Sequence, residues 1–179
     1  HFQKFFHSND YIIAVDGGIE HITSLNIKPN LWIGDFDSCS PESKIIHSAI
    51  PTAAFSIDKN FLDTELALAK ALELNIDNCV LIGGIGGRLD HQFALFMLLN
   101  QHPSLNILHT NGRTELHSLN NHIHKNINAQ HFKYLSIIPI TTLEDVTIDG
   151  VKWPLHNATL TTGAGLSVSN QPIKNTIYY

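Results

Sequence analysis

Apolar positions in the first 110 or so residues fall into short runs, each ended by a glycine or an acid and most followed by helical spacing. Tyr11-Ile12-Ile13-Ala14-Val15 is one such run and stops at Asp16-Gly17-Gly18. It reads as a strand with an acid at its carboxyl end. Ile22 and Leu25 give residues 19–26 the period of a short helix, which Ile27-Lys28-Pro29 ends. Leu31-Trp32-Ile33 is a second buried strand, Gly34 lets the backbone turn, and Asp35-Phe36-Asp37-Ser38 follows. Ser40-Pro41-Glu42 has the form of a helix start, with Ser at the N-cap and Pro at the first helical position. Ala53-Ala54-Phe55-Ser56-Ile57 is a third strand, and Leu62, Leu66 and Ala69 then form the apolar stripe of a helix beginning at Asp63. Val80-Leu81-Ile82 is a fourth strand and Leu105-Asn106-Ile107-Leu108 a fifth. Between them, residues 92–100 carry Phe93, Leu95, Phe96, Met97, Leu98 and Leu99, which predicts a helix buried on nearly every face.

Strands alternating with helices predict an α/β unit with a mainly parallel sheet. Beyond Gly112 the helical period disappears. Short β-like runs at residues 132–140, 146–148 and 159–161 alternate with turn residues, and Asp149-Gly150 is a hairpin signal. The predicted organisation is an α/β domain over residues 1–112 and a small antiparallel all-β domain, sandwich- or barrel-like, over residues 113–179.

Composition narrows the function classes. The 179 residues are 43% hydrophobic and 15% charged. A chain of this length buries roughly 70% of its unfolded surface and needs no disulfide or metal staple. A formal net charge of −5 with no Lys/Arg cluster gives no nucleic-acid footprint. Cys39 and Cys79 have neither CxxC nor zinc spacing, the twelve histidines are scattered, and no apolar run approaches the ~18 residues of a membrane span. A cytoplasmic protein without membrane or nucleic-acid partners is the expectation.

In open α/β sheets ligands bind at the carboxyl ends of the strands. Here those ends carry Asp16, Asp35, Asp37, Asp58 and the segment Gly83-Gly84-Ile85-Gly86-Gly87-Arg88-Leu89-Asp90-His91. Asp35 and Asp37 are two apart, so in extended chain they project to one side. Such a pair repels itself unless a proton or cation lies between, and hard oxygens suit Mg²⁺. Asp and Ser are also ordinary turn residues, so a solvated turn stays open at this point. Four glycines in five residues ahead of a helix let backbone amides approach an anion, and Arg88 adds a planar phosphate donor. Neither a dinucleotide fingerprint nor a P-loop is present. Asp63 also suits an N-cap, Asp90 suits orientation of Arg88, and His91 suits a structural hydrogen bond.

The stretches 15–18, 28–38, 63–67 and 83–91, followed by 134–139, 151–155 and Gly165-Leu166-Ser167-Val168-Ser169-Asn170, together resemble the thiamine pyrophosphokinase family. The resemblance spans most of the chain in the family's order. It implies transfer of a pyrophosphoryl group from ATP to thiamine, giving thiamine diphosphate and AMP. It also implies a homodimer with thiamine between the α/β domain of one subunit and the β domain of the other. Carried onto this chain, it makes Asp35, Asp37 and Asp63 the Mg²⁺ ligands and, with Arg88, the catalytic set. Asp16, Gly17, Gly84, Gly87, Arg88, Asp90 and His91 serve the nucleotide; Ser167, Ser169 and Asn170 face thiamine. The run Lys59-Asn60-Phe61-Leu62-Asp63 departs from the family's Lys-Asp-x-Thr-Asp. The family's opening strand is absent before His1, and Tyr179 falls short of its usual last strand. Two rival readings stand beside this one. A haloacid-dehalogenase-like phosphatase also runs a strand into Asp-x-Asp, though Ser38-Cys39 replaces its Gly-Thr turn. A non-catalytic thiamine- or nucleotide-binding module is the other.

Overall fold

Leu31–Gly34 are four consecutive buried residues, and they form β2, the middle strand of a three-stranded parallel sheet. A computed structural model of the chain describes residues 2–54, 61–119 and 126–178; residues 55–60, which include the end of the expected third strand, Asp58, Lys59 and Asn60, lie outside the described residues. The chain divides into two compact units, His1–Ser118 and Leu119–Tyr179.

In the first unit, β1 (Ile13–Val15) and β3 (Thr52–Ala54) flank β2, with Val15 beside Ile33 and Gly34 beside Ala54. A 3-10 turn, Asp16–His21, follows β1 directly and leads into α1 (Ile22–Leu25). The predicted cap is present at α2 (Pro41–Ile46): the Ser40 Oγ accepts from the Ser43 amide at 3.1 Å. Glu20 ties that helix start to the 3-10 turn, accepting from the Ser40 amide at 2.9 Å and the Ser43 hydroxyl at 2.7 Å. These two bonds, the hydroxyl's first, hold its carboxyl below the usual range. The Asp35–Ser38 loop is therefore anchored at both ends, by β2 and by α2.

α3 (Asp63–Glu73) packs on β1 and β2, placing Ala67 with Leu31 and Ile33. Its Leu68 joins a second core with Leu95, Leu98 and Leu99 of α4 (Leu89–Gln101), Leu105, and Ile107 of β5 (Asn106–Thr110). Burial of each such aliphatic side chain contributes roughly 1.5–3 kcal/mol. β5 pairs in parallel with β4 (Asn78–Ile82) and antiparallel with β6 (Glu115–His117). α4 corrects the expectation of a helix buried all round. Leu89, Phe93 and Met97 are exposed, because at intervals of four they run along one stripe while the core lies on another side. β6 also accounts for the six residues between the expected boundary at 112 and the observed division after Ser118, since it completes the sheet of the first unit.

The second unit is strand-rich and antiparallel. β7 (Asn126–Asn128) pairs with β10 (Thr176–Tyr178), and β8 (Leu143–Ile148) pairs with β9 (Leu155–Leu160) through two register irregularities. Ala129, Ile137, Ile148, Val151, Leu160 and Ile177 form its core. The β8–β9 hairpin exists, but Asp149-Gly150 does not close it as a two-residue turn. Asp149 bridges to Tyr178 and Val151 to Pro172, so the connection detours across β10. The strand expected over residues 132–140 contracts to one bridge, Leu135 to Asn170.

Candidate active site

The carboxyl ends of β1 and β2 bring three acids together. One carboxylate oxygen from each of Asp16, Asp35 and Asp37 lies within 4.8 Å of the others, the only such group of acids, histidines and cysteines among the described residues. The parallel register explains the meeting. Asp16 follows Val15, which is beside Ile33, so Asp16 stands against Gly34. A Cβ added to Gly34 would lie 3.0 Å from the Asp16 Cα. Asp16 is in the left-handed region at φ 43° and Phe36 at φ 64°; for a bulky residue such as Phe36 that is an outlier maintained by its surroundings. Trp32 supplies them: its indole N–H donates to the Asp16 carbonyl at 3.1 Å, and its ring meets Phe36 edge-on with centroids 4.6 Å apart. The Ser38 hydroxyl donates to Asp16 Oδ2 at 2.6 Å, and the Asp37 amide to Asp35 Oδ1 at 3.1 Å.

The acids of the cluster repel one another. Asp35, first, and then desolvation push the Asp37 carboxyl above its usual value. The Cys39 thiol, 3.9 Å from Asp16 Oδ1, is pushed up by burial and then by Asp16. Close-set hard oxygens with repulsion to relieve fit a divalent ion such as Mg²⁺. Asp63 is not in this group. It is the first residue of α3, where the N-cap is Leu62, so it favours the positive helix end without acting as the cap.

The glycine-rich loop is rooted on β5. The Gly83 amide donates to the Thr110 carbonyl at 3.0 Å, and His109 Nε2 contacts the Gly83 carbonyl at 2.6 Å. Gly84 has φ 68°, a backbone conformation that favours glycine, and a Cβ there would meet the tip of the Leu95 side chain at 2.7 Å. Gln92 takes one loop amide, accepting from Gly86 at 3.0 Å. Arg88 donates to Asp90 from Nε at 3.2 Å and Nη2 at 2.6 Å, and the His91 amide donates to the same carboxylate at 3.0 Å. The Arg88 hydrogen bond leads in drawing the Asp90 carboxyl down to about 2. Asp90 thus orients the guanidinium, whose other edge faces away from the pair.

In the second unit, Trp153, Leu166, Ser167, Val168 and Asn170 are among the residues around an open cavity of about 350 Å³. Ser167 and Ser169 are left-handed, at φ 71° and 59°. The Ser167 hydroxyl oxygen is shielded from solvent and has no hydrogen-bond partner among the described residues. The Ser169 amide donates to the Ser136 hydroxyl at 2.9 Å. The side-chain amide of Asn170 is engaged by neighbouring backbone.

Comparison with known proteins agrees with this two-part layout. The family model "Thiamin pyrophosphokinase, catalytic domain" matches residues 2–109, and "Thiamin pyrophosphokinase, vitamin B1 binding domain" matches residues 120–177. The chain belongs to the thiamin pyrophosphokinase family. Over 171 residues it is 32% identical to thiamine pyrophosphokinase of Bacillus subtilis, spanning 90% of this chain and 78% of that one. The crystal structure of the Bacillus subtilis thiamine pyrophosphokinase superimposes with a TM-score of 0.88 at 26% identity, covering 99% of this chain and 85% of that one. The thiamin pyrophosphokinase from Geobacillus thermodenitrificans gives 0.86, also at 26% identity, over 99% and 84%.

Membership of the thiamin pyrophosphokinase family makes the chain a diphosphotransferase, and neither the phosphatase nor the binding-module reading is favoured. The fold is the family's: a parallel-sheet unit with helices, then an antiparallel strand-rich unit. No helix among the described residues is long and apolar enough to cross a membrane. Within this thiamin pyrophosphokinase fold, Asp16 joins Asp35 and Asp37 at the strand ends, where the sequence pattern had placed all three. Trp32, Ser38 and Gln92 brace the site and were not anticipated. The available signal was the shared strand-end position of Asp16 and Gly34.

Proposed function

We propose that this chain transfers the pyrophosphoryl group of ATP to the hydroxyl of thiamine, giving thiamine diphosphate and AMP. The observation that carries the proposal is the Asp16, Asp35 and Asp37 cluster at the strand ends. In this reaction the thiamine oxygen bonds to the β-phosphorus, the bond from that phosphorus to the bridging oxygen breaks, and AMP leaves. The hydroxyl proton passes to a carboxylate, Asp37 or Asp63. Such transfers depend on positioning and charge neutralisation more than on covalent chemistry.

Asp35, Asp37 and Asp63 would hold Mg²⁺, with Asp16 beside Asp35 and Asp37 as a further ligand. When bound, the ion neutralises phosphate charge and polarises the phosphoryl oxygens. Gly17, Gly84, Gly87 and His91 belong to the nucleotide site in this reading. Arg88, aimed by Asp90, faces the α-phosphate as charge moves onto it. The partnerless Ser167 hydroxyl and the Trp153, Leu166 and Val168 side chains form the thiamine wall, with Ser169 beside them. A cytoplasmic homodimer is the assembly we assign; the exposed Ile138 and Ile173 of the second unit support self-association.

The test is a mass-spectrometric assay of the chain with ATP, thiamine and Mg²⁺. Thiamine diphosphate and AMP are expected in equal amounts, and Asp35→Asn is expected to abolish nearly all turnover while the fold persists by circular dichroism. Appearance of ADP in place of AMP would refute the reaction type, and near-normal rates in the variant would refute the metal role.

A further inference from the structure

Asn170 is only 1% exposed, and its side chain is committed to the backbone of Trp153. Its Oδ1 accepts from the Trp153 amide at 3.1 Å, and its Nδ2 donates to the Trp153 carbonyl at 2.7 Å. Residues 152–154 lie in the β8–β9 connection, outside the named strands. The Asn170 amide therefore gives Trp153 the paired contacts that a neighbouring strand would otherwise provide. Oδ1 also accepts from the Gln171 amide at 2.9 Å, which fixes the plane of the group. The carbonyl of Asn170 is held in turn by the Leu135 amide at 2.9 Å. Pinned in this way, Trp153 leaves 52% of its surface exposed and stands at the cavity with Leu166 and Val168. The Lys152 ammonium lies 4.6 Å from its ring centroid.

An asparagine side chain has two acceptor and two donor positions. Three of the four are used within the chain, so little remains for a ligand. We infer that Asn170 is a positioning residue, which sets the Trp153 indole in the cavity wall through the Trp153 backbone and thereby sets affinity for the aromatic substrate. This rests on the reading of the cavity as the thiamine site. With only two side-chain torsions, Trp153 passes a backbone displacement on to its rigid ring, and misplacement of about 1 Å in a positioning group is costly to binding and rate.

A double-mutant cycle in the full chain tests this, using Asn170→Ala, Trp153→Ala and the pair, with thiamine KM, ATP KM and acrylamide quenching of tryptophan emission as readouts. Asn170→Ala should raise the thiamine KM about tenfold, leave the ATP KM within about twofold, and make Trp153 easier to quench. In the Trp153→Ala background the Asn170 change should add almost nothing, because its route of action is gone. Equal effects in both backgrounds, or an unchanged thiamine KM in Asn170→Ala, would overturn the inference. If Trp153→Ala itself leaves the thiamine KM unchanged, the cavity reading fails first and takes the inference with it. Should Asn170→Ala not fold, Asn170→Asp enters the same cycle. It keeps both acceptor contacts and sets an acceptor oxygen against the Trp153 carbonyl in place of the donor.

Discussion

Gly34→Ala is the substitution that most directly links backbone geometry to the acid cluster. Gly34 has φ 153°, and an added Cβ would lie 3.0 Å from the Cα and 3.1 Å from the Cβ of Asp16. These atoms cannot swing aside like the tip of a flexible side chain. Asp16 is held by the Trp32 indole on its carbonyl and by Ser38 on its carboxylate. A residue forced into a sparsely populated backbone region costs of order 1–3 kcal/mol, and displacement of Asp16 adds to that. Taking about 2.5 kcal/mol in total and about 2 cal/mol/K per residue, the 118 residues of the first unit should lose about 10 °C in melting temperature. Because the methyl pushes on Asp16 itself, the Mg²⁺ concentration for half-maximal turnover should rise about tenfold or more, equivalent to about 1.4 kcal/mol. Gly18→Ala is the matched control. Nothing lies within 4 Å of its added Cβ, so its stability should stay within about 0.5 kcal/mol and its Mg²⁺ dependence should not move. Calorimetric melts and Mg²⁺ titrations of turnover read both quantities. If Gly34→Ala melts with the wild type and keeps its Mg²⁺ dependence, the close-approach argument is wrong.

Two further substitutions probe the glycine-rich loop. Both Arg88 and Asp90 are exposed, so their ion pair adds little stability. Asp90→Asn should therefore leave the melting temperature near wild type at neutral pH yet raise the ATP KM severalfold, as steady-state kinetics would show. Since the folded value of Asp90 lies near 2, below the unfolded value of about 3.9, its contribution is present above that unfolded value and is lost only as pH falls toward 2. Between pH 5 and 8 the variant's effect should be flat. His109 works in a different pH window. Burial pushes its imidazole pKa down, against the raising effect of the Gly83 contact. The unfolded chain takes up this proton near pH 6.5 while the folded one resists, so stability present above that pH is lost as pH falls through the folded value. Urea unfolding at pH 8 and pH 5 should show a smaller loss for His109→Gln than for wild type, and equal losses would exclude His109 as a source of the dependence.

Local features of the chain were legible before folding. The run Leu31-Trp32-Ile33 with Gly34 announced a buried strand, because apolar length and a turn residue are written in adjacent positions. The Ser40-Pro41 start was equally local and the cap is there. Asp35 and Asp37 do come together, but in a turn with Phe36 left-handed rather than through the two-residue period of extended chain. Features that depend on distant partners were not legible. Asp16 was placed at the same sheet edge as Asp35 and Asp37, but the register of Val15 with Ile33 that sets their contact is encoded in neither strand. The exposed stripe of Leu89, Phe93 and Met97 is as apolar as the buried face, and only the location of Leu105 and Ile107 separates the two. Residues 132–140 have strand-like composition but find a ladder partner only at Leu135. The bonds of Asn170 to the Trp153 backbone, 17 positions away, were likewise not legible.

The pairing of β7 with β10 also has a kinetic meaning. Ile127 and Ile177 are partners about 50 positions apart, and Ile177 is fully buried in the core of the second unit. Closing a loop of that size costs roughly 3–4 kcal/mol by chain-entropy scaling, before a constant term, and the contacts that repay it arrive late. During synthesis the β8–β9 hairpin can form from neighbouring chain, whereas the core cannot close until Ile177 has left the ribosome. The nascent chain thus holds an incomplete vitamin-binding unit with strand edges open, and its window of vulnerability to aggregation lasts until those final pairings zip shut.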